Sequence, residues 1–165
     1  MRGGISRRRH RGFTYLGMLL AVAFLGIGLA AIGTVWSTVA QREREAQLLF
    51  AGDAYRAAID SYYASGPLAH QLPKALDDLI EDRRGPLLRR HLRRLYPDPM
   101  TGQLDWQLTR DPDGGITGLN SASPRAPLKR ANFSADDAAF EMAECYCDWK
   151  FVFSPLRTGR RAHKP

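Results

Sequence analysis

The chain has 165 residues, enough for one domain of ordinary size, and with 44% hydrophobic and 25% charged residues it is not a disordered chain. Its net charge of +7 suggests nucleic acid or acidic lipid, yet five arginines (Arg2, Arg7, Arg8, Arg9, Arg11) lie in the first twelve residues and leave only 19 basic against 17 acidic side chains elsewhere. That distribution fits a topology signal rather than a nucleic-acid surface, and no nucleic-acid-binding motif accompanies it.

Residues 1–12 are short, basic and glycine-containing, and read as a cytoplasmic leader. Residues 13–36 run for 24 positions without a charge. About 20 apolar residues span a bilayer as a helix, so the run suffices with some tilt. The preceding arginines place the N-terminus in the cytoplasm, Trp36 sits where an interfacial aromatic anchor would, and the rest of the chain is then exported. Other readings of this run are a buried core helix, an uncut signal anchor, and a secretory signal peptide cut near Thr38-Val39-Ala40. A secretory signal needs only about 7–15 apolar residues, and this run is longer.

No proline stops the helix at the membrane surface. Across 37–64, apolar positions recur at Leu48, Leu49, Gly52, Tyr55, Ala58, Ile59, Tyr62 and Tyr63. This spacing predicts one face of an amphipathic helix. Arg44, Asp53, Arg56 and Asp60 fall largely on the other side, with Arg56 and Asp60 able to pair at i,i+4. Gly66 and Pro67 give the stop.

A domain over 65–153 follows. Pro73 opens a short helix over 74–80, with Ala75, Leu76, Leu79 and Ile80 as its stripe. The spacing of Leu88, Leu92 and Leu95 predicts a second helix over 87–96, its arginines forming a solvated face. Residues 97–102 read as a turn region. Leu104, Trp106 and Leu108 alternate with polar residues and predict a strand over 104–109. Residues 111–115 form a hairpin turn, and 116–120 return as a weaker strand. Residues 121–145 are irregular, with a helical turn over 136–143. Trp149, Phe151 and Phe153 alternate as the clearest strand, and 154–165 form a basic tail. The predicted class is α+β, a long N-terminal helix packed on a small antiparallel sheet.

Candidate chemistry is sparse. Cys145 and Cys147 read as two small, semi-buried residues, with a redox or intermolecular role as the alternative. A disulfide across one intervening residue departs from the favoured Cβ separation of about 3.8 Å, and two thiols fall short of the roughly four ligands of a structural zinc site. Four scattered histidines accompany no nucleophile, metal-ligand or phosphate-loop pattern, so enzymatic activity is not expected.

Arg11-Gly12-Phe13-Thr14-Tyr15-Leu16, followed by an apolar run, resembles the class III signal of type IV prepilins. The downstream layout is similar to that of type II secretion pseudopilins of the major type. The stretch from Gln71-Leu72-Pro73 to Leu79 resembles that family's tyrosine/leucine-proline-x-x-leucine-x-x-leucine segment, and Leu95-Tyr96-Pro97-Asp98-Pro99-Met100-Thr101-Gly102 resembles its leucine-x-x-aspartate-proline-tryptophan-glycine turn before the first strand. The resemblance covers residues 7–120. It implies a pilin-like fold, cutting between Gly12 and Phe13 by a membrane-embedded prepilin peptidase, and N-methylation of Phe13. A glycine before the cut lets the backbone lie close to the protease. The expected location is the inner membrane, single-pass, with the C-terminal domain in the periplasm. Expected partners are the peptidase, other pseudopilins, the assembly platform and its ATPase, with no nucleic acid.

Two departures shape this expectation. The family's glutamate at the fifth mature position is replaced by Gly17, which removes a charge thought to pair with a neighbouring subunit's amino terminus and points to a tip, minor or specialised role. The family's C-terminal calcium loop is not reproduced, although Asp111, Asp113, Asp136 and Asp137 are available. Calcium needs about six to eight oxygens, so no cofactor is expected. Gly26 and Ala30, four apart, are small enough for a close helix contact, although glycine is also frequent in membrane helices generally. Competing functions are a minor pilin of a pilus or DNA-uptake system, and an uncut signal-anchored adaptor domain.

Overall fold

The computed structural model describes residues 11–65 and 70–154, with the side chains of 11–14 and 27–35 excepted. The chain divides into two units, Met1–Ala40 and Gln41–Pro165. A single helix, α1, covers Arg11–Ala64.

Within the first unit the described apolar side chains, among them Leu16, Leu20, Phe24 and Trp36, are exposed. Among the described residues no helix is long and apolar enough to cross a membrane. The segment predicted to do so, 13–36, includes eleven positions (13, 14 and 27–35) whose side chains lie outside the described residues.

In the second unit the amphipathic reading of α1 is borne out. Leu48, Ala51, Tyr55, Ala58, Ile59 and Tyr62 are buried along one face, where the 3.6-residue period brings them together. Three strands follow, β1 (Gln107–Arg110), β2 (Ile116–Asn120) and β3 (Phe151–Val152). They form an antiparallel sheet in the order β1-β2-β3, with Leu108 opposite Leu119 and Leu119 opposite Phe151. The class is therefore α+β. Helix and sheet meet through Gly52 beneath Phe151, Tyr55 against Trp106 at 5.6 Å, and Tyr63 against Phe153 at 5.1 Å.

Gly52 has a specific packing reason. A Cβ there would lie 2.4 Å from the Phe151 ring. Phe151 is fully buried and cannot swing aside. Gly52→Ala is expected to destabilise the domain by about 1–3 kcal/mol, although alanine is the better helix former by about 1 kcal/mol. Phe151→Leu in the same chain should recover part of the loss. Additive losses in a double-mutant cycle by urea unfolding would contradict this contact.

Several predicted elements differ. The segment 74–80 contracts to a 3-10 helix, Leu76–Leu79. Residues 87–96 are not helical. Asp82 and Arg89 form an isolated antiparallel bridge, and the backbone N–H groups of His91 and Leu92 both donate to Leu79 O at 2.8 Å. A helix would have stacked Arg89 on Arg93 and Arg90 on Arg94 at repulsive i,i+4 spacing. Leu92 alone of the supposed stripe is fully committed to the core, while Leu88 is exposed. The first strand starts three residues late. Gly102 at φ +78 and the bond from Thr101 Oγ1 to Asp105 Oδ1 keep the preceding residues in a turn, leaving Leu104 exposed. The strand expected around Trp149 shrinks to β3, because Trp149 caps a 3-10 helix, Tyr146–Asp148. The helical turn near 136–143 is the 3-10 helix Ala138–Met142. Gly66 and Pro67, the predicted stop, and 155–165 of the predicted tail lie outside the described residues.

Candidate functional site

The residues singled out for processing and assembly all lie on α1. Gly12 and Phe13 fall in its first turn, and Ala30 further along, with side chains outside the described residues. At Gly17 and at Gly26 an added Cβ meets nothing within 4 Å. Among the described residues, therefore, packing requires neither glycine.

The described chemistry of the domain is dominated by buried carboxylates that fasten irregular segments to α1 or to one another. Gln41 and Glu45 extend the period of Leu48, Gly52, Tyr55, Ile59 and Tyr62, so a polar pair sits on the buried face. Glu45 Oε1 accepts from the Tyr146 hydroxyl at 2.8 Å and from the backbone N–H of Leu128 and Lys129 at 2.6 and 3.2 Å. Gln41 Nε2 donates to the Tyr146 hydroxyl at 2.7 Å, and Arg125 donates to Gln41 Oε1 at 3.2 Å. Burial pushes the Tyr146 phenol upward, which keeps it a donor to Glu45. The segment left irregular by its sequence, 121–145, is thus held on the helix by side chains rather than by strand pairing.

Asp98 organises the turn before β1. It is fully buried. It accepts from Met100 N at 2.8 Å, Ser121 Oγ at 2.6 Å and Ala122 N at 3.3 Å. One carboxylate therefore ties the turn to the strand end beyond β2.

Asp82 forms the third cluster. It accepts from Arg84 Nε at 2.9 Å and from Arg84 N at 3.0 Å, and His91 Nε2 lies 3.2 Å away. His91 Nδ1 meets Ser61 Oγ at 2.8 Å, and the Arg84 guanidinium lies 3.4 Å above the Tyr62 ring. The Arg84 hydrogen bonds hold the Asp82 carboxyl well below the usual carboxylate range. A carboxylate with a depressed folded pKa stabilises the fold above its unfolded value, and that stability is lost as pH falls toward the folded value. Stability is therefore expected to drop below about pH 4. Asp82→Asn should lower stability at neutral pH and flatten the acid-side slope, read as the unfolding midpoint across an acid titration. An unchanged slope would contradict the assignment.

The paired expectations divide as follows. Arg56 reaches Asp53 at 3.2 Å and Asp137 at 2.6 Å, the latter a pair distant in sequence that the i,i+4 reading toward Asp60 did not anticipate. Asp111 stays in the β1–β2 turn, where its Oδ1 accepts from Gly115 N at 2.6 Å. Asp137 is committed to Arg56 and to Ser134 Oγ. Among the described residues no three of Asp111, Asp113, Asp136 and Asp137 converge at metal-binding distance. Cys145 and Cys147 are half-buried, as read, and are joined in a disulfide, which corrects the expectation that strain disfavours a bond between them. The 3-10 turn between them makes the pairing possible by bringing their Cα atoms to 5.1 Å. With Asp148 they form a cluster of potential metal ligands, but both sulfurs are spent in the bond. Sequence reading passed over Glu45, Asp82 and Asp98. The findable signal was Glu45, an acid in register with an apolar stripe.

No protein-family model, curated protein or solved structure matches the chain.

Proposed function

We propose that this chain is a type IV pilin-like subunit, a type II secretion pseudopilin, cut between Gly12 and Phe13 and methylated at Phe13. The observation that carries the reading is the continuity of α1 from Arg11 to Ala64, with charge-free sequence over 13–36 and the domain's buried spine over 48–62. A helix of that composition needs lipid or like helices around its first part and one packed domain on its second.

The mechanism is mechanical. Mature subunits rest in the inner membrane, and a cytoplasmic ATPase with a platform protein extracts them into a short filament that drives folded substrates outward. Contacts between subunits come from helices packed side by side, with Gly26 and Ala30 permitting close approach. Gly17 lacks the carboxylate that would pair with a neighbour's amino terminus, which favours a tip or minor position. The domain's part is rigidity. Glu45 and Asp137 fasten loops to the helix, and Asp98 ties the turn before β1 to the chain beyond β2, so that the domain moves as a body under force.

Deletion of the chain in its host is expected to abolish export of secreted proteins while leaving twitching motility and DNA uptake intact. Intact export with lost motility or transformation would move the assignment to a minor pilin. Retention of the leader in a host that processes other prepilins would favour an uncut signal-anchored domain.

A further inference from the structure

Residues 65–153 hold 12 basic and 13 acidic side chains, a near balance, yet 83–94 hold six arginines and no carboxylate. Arg83 pairs with Glu81, and Arg84 with Asp82. The other four, Arg89, Arg90, Arg93 and Arg94, are exposed, and among the described residues none is in an ion pair with a carboxylate. Beside them stand Leu87 and Leu88, 74% and 55% exposed.

This display is built. The Asp82–Arg89 bridge, the two bonds to Leu79 O and the burial of Leu92 fix the loop from beneath. A helix would spread these side chains around a cylinder. Here the backbone is pinned at Arg89, His91 and Leu92, and the two leucines and four arginines are exposed, Arg94 with its guanidinium 5.2 Å from the Tyr96 ring centroid.

We propose that residues 86–94 form a docking surface for an anionic phospholipid bilayer. Guanidinium groups donate several hydrogen bonds in a planar fork that suits phosphate oxygens, and four unneutralised ones within six residues give a local field of one sign. Two adjacent exposed leucines supply the apolar wedge that enters the headgroup region, a feature without use on a phosphate backbone. Duplex DNA fits less well for that reason, and an acidic protein would leave the leucines idle. The surface belongs to the unit Gln41–Pro165 and does not rest on processing at Gly12.

The test uses the full chain carrying Leu88→Cys, whose single free thiol is labelled with an environment-sensitive nitrobenzoxadiazole dye. It is combined with vesicles of phosphatidylcholine alone or of phosphatidylcholine with phosphatidylglycerol. The expected result is a blue shift with the anionic vesicles only, reversed by high salt as the charges are screened. Changing Arg89, Arg90, Arg93 and Arg94 to glutamine should weaken the contact on the order of a hundredfold or more. A label at Met142, an exposed apolar position outside the loop, should not shift. If the quadruple variant unfolds, the salt titration of the parent chain carries the charge dependence. The proposal is overturned by an equal shift with both vesicle types, by no shift with either, or by an equal shift at Met142. A shift produced by duplex DNA but not by anionic vesicles, or one that grows with protein concentration without vesicles, also overturns it by assigning the loop to nucleic acid or to a second copy. Carbonate extraction of the same vesicles reads the membrane anchor separately, so a failure of the anchor and a failure of the loop are told apart.

Discussion

Trp149→Ala is expected to cost about 3–5 kcal/mol of folding stability, the largest loss from any one side chain of the domain. The indole is fully buried. It stacks on Phe140 at 5.4 Å and meets Phe133 and Tyr146 edge-on, each at 5.4 Å. Those three rings come from segments without regular strand pairing to β2, so Trp149 is the common wall against which the irregular region closes. Its removal leaves a cavity that rigid rings cannot fill by collapse. A domain stable by about 5–15 kcal/mol would be left marginal. Trp149→Phe should be much milder, at about 1–2 kcal/mol. The indole Nε1 has no acceptor among the described residues, and phenylalanine removes that orphaned donor along with some apolar area. Urea unfolding of the three chains measures both differences. Equal losses for alanine and phenylalanine would show that the ring stack is not the source.

Gly12→Val is expected to leave the leader on the chain. Peptide cleavage requires the scissile backbone to sit within a close approach of the catalytic groups. A β-branched side chain one residue before the cut holds it away, and a displacement of about 1 Å is enough to cost on the order of a hundredfold in rate. Gly12→Ala should be cut slowly, and Gly17→Glu should be cut normally, since a Cβ added at Gly17 meets nothing within 4 Å among the described residues. Immunoblots of membranes from cells with an active prepilin peptidase distinguish the three. Full processing of Gly12→Val would contradict the proposed cleavage site.

The parts of the fold that were legible are those governed by local periodicity. Leu48 to Tyr62 repeat every three or four residues, and α1 buries that stripe. The turn over 111–115 and the strand Ile116–Asn120 follow from Asp-Pro-Asp-Gly-Gly and the residues after it. What was not legible depends on partners far away in the chain. Nothing near Asp82 announces that Arg84 and His91 will converge on it, and their convergence is what turns 87–96 from a helix into a pinned loop. Likewise β2, read as the weaker strand, is central because Leu119 faces both Leu108 and Phe151. Glu45 lay in view at a core position, but its partners come from 83 and 101 residues away. The disulfide depended on a 3-10 turn that a Cys-x-Cys spacing cannot foretell.

The central claim is that Gly12–Phe13 is a prepilin-type processing site. The intact mass of the membrane-extracted chain, expressed with and without a prepilin peptidase, tests it most directly. Loss of residues 1–12 and gain of one methyl group are expected only when the peptidase is present. The same full-length, unmethylated mass under both conditions would contradict it.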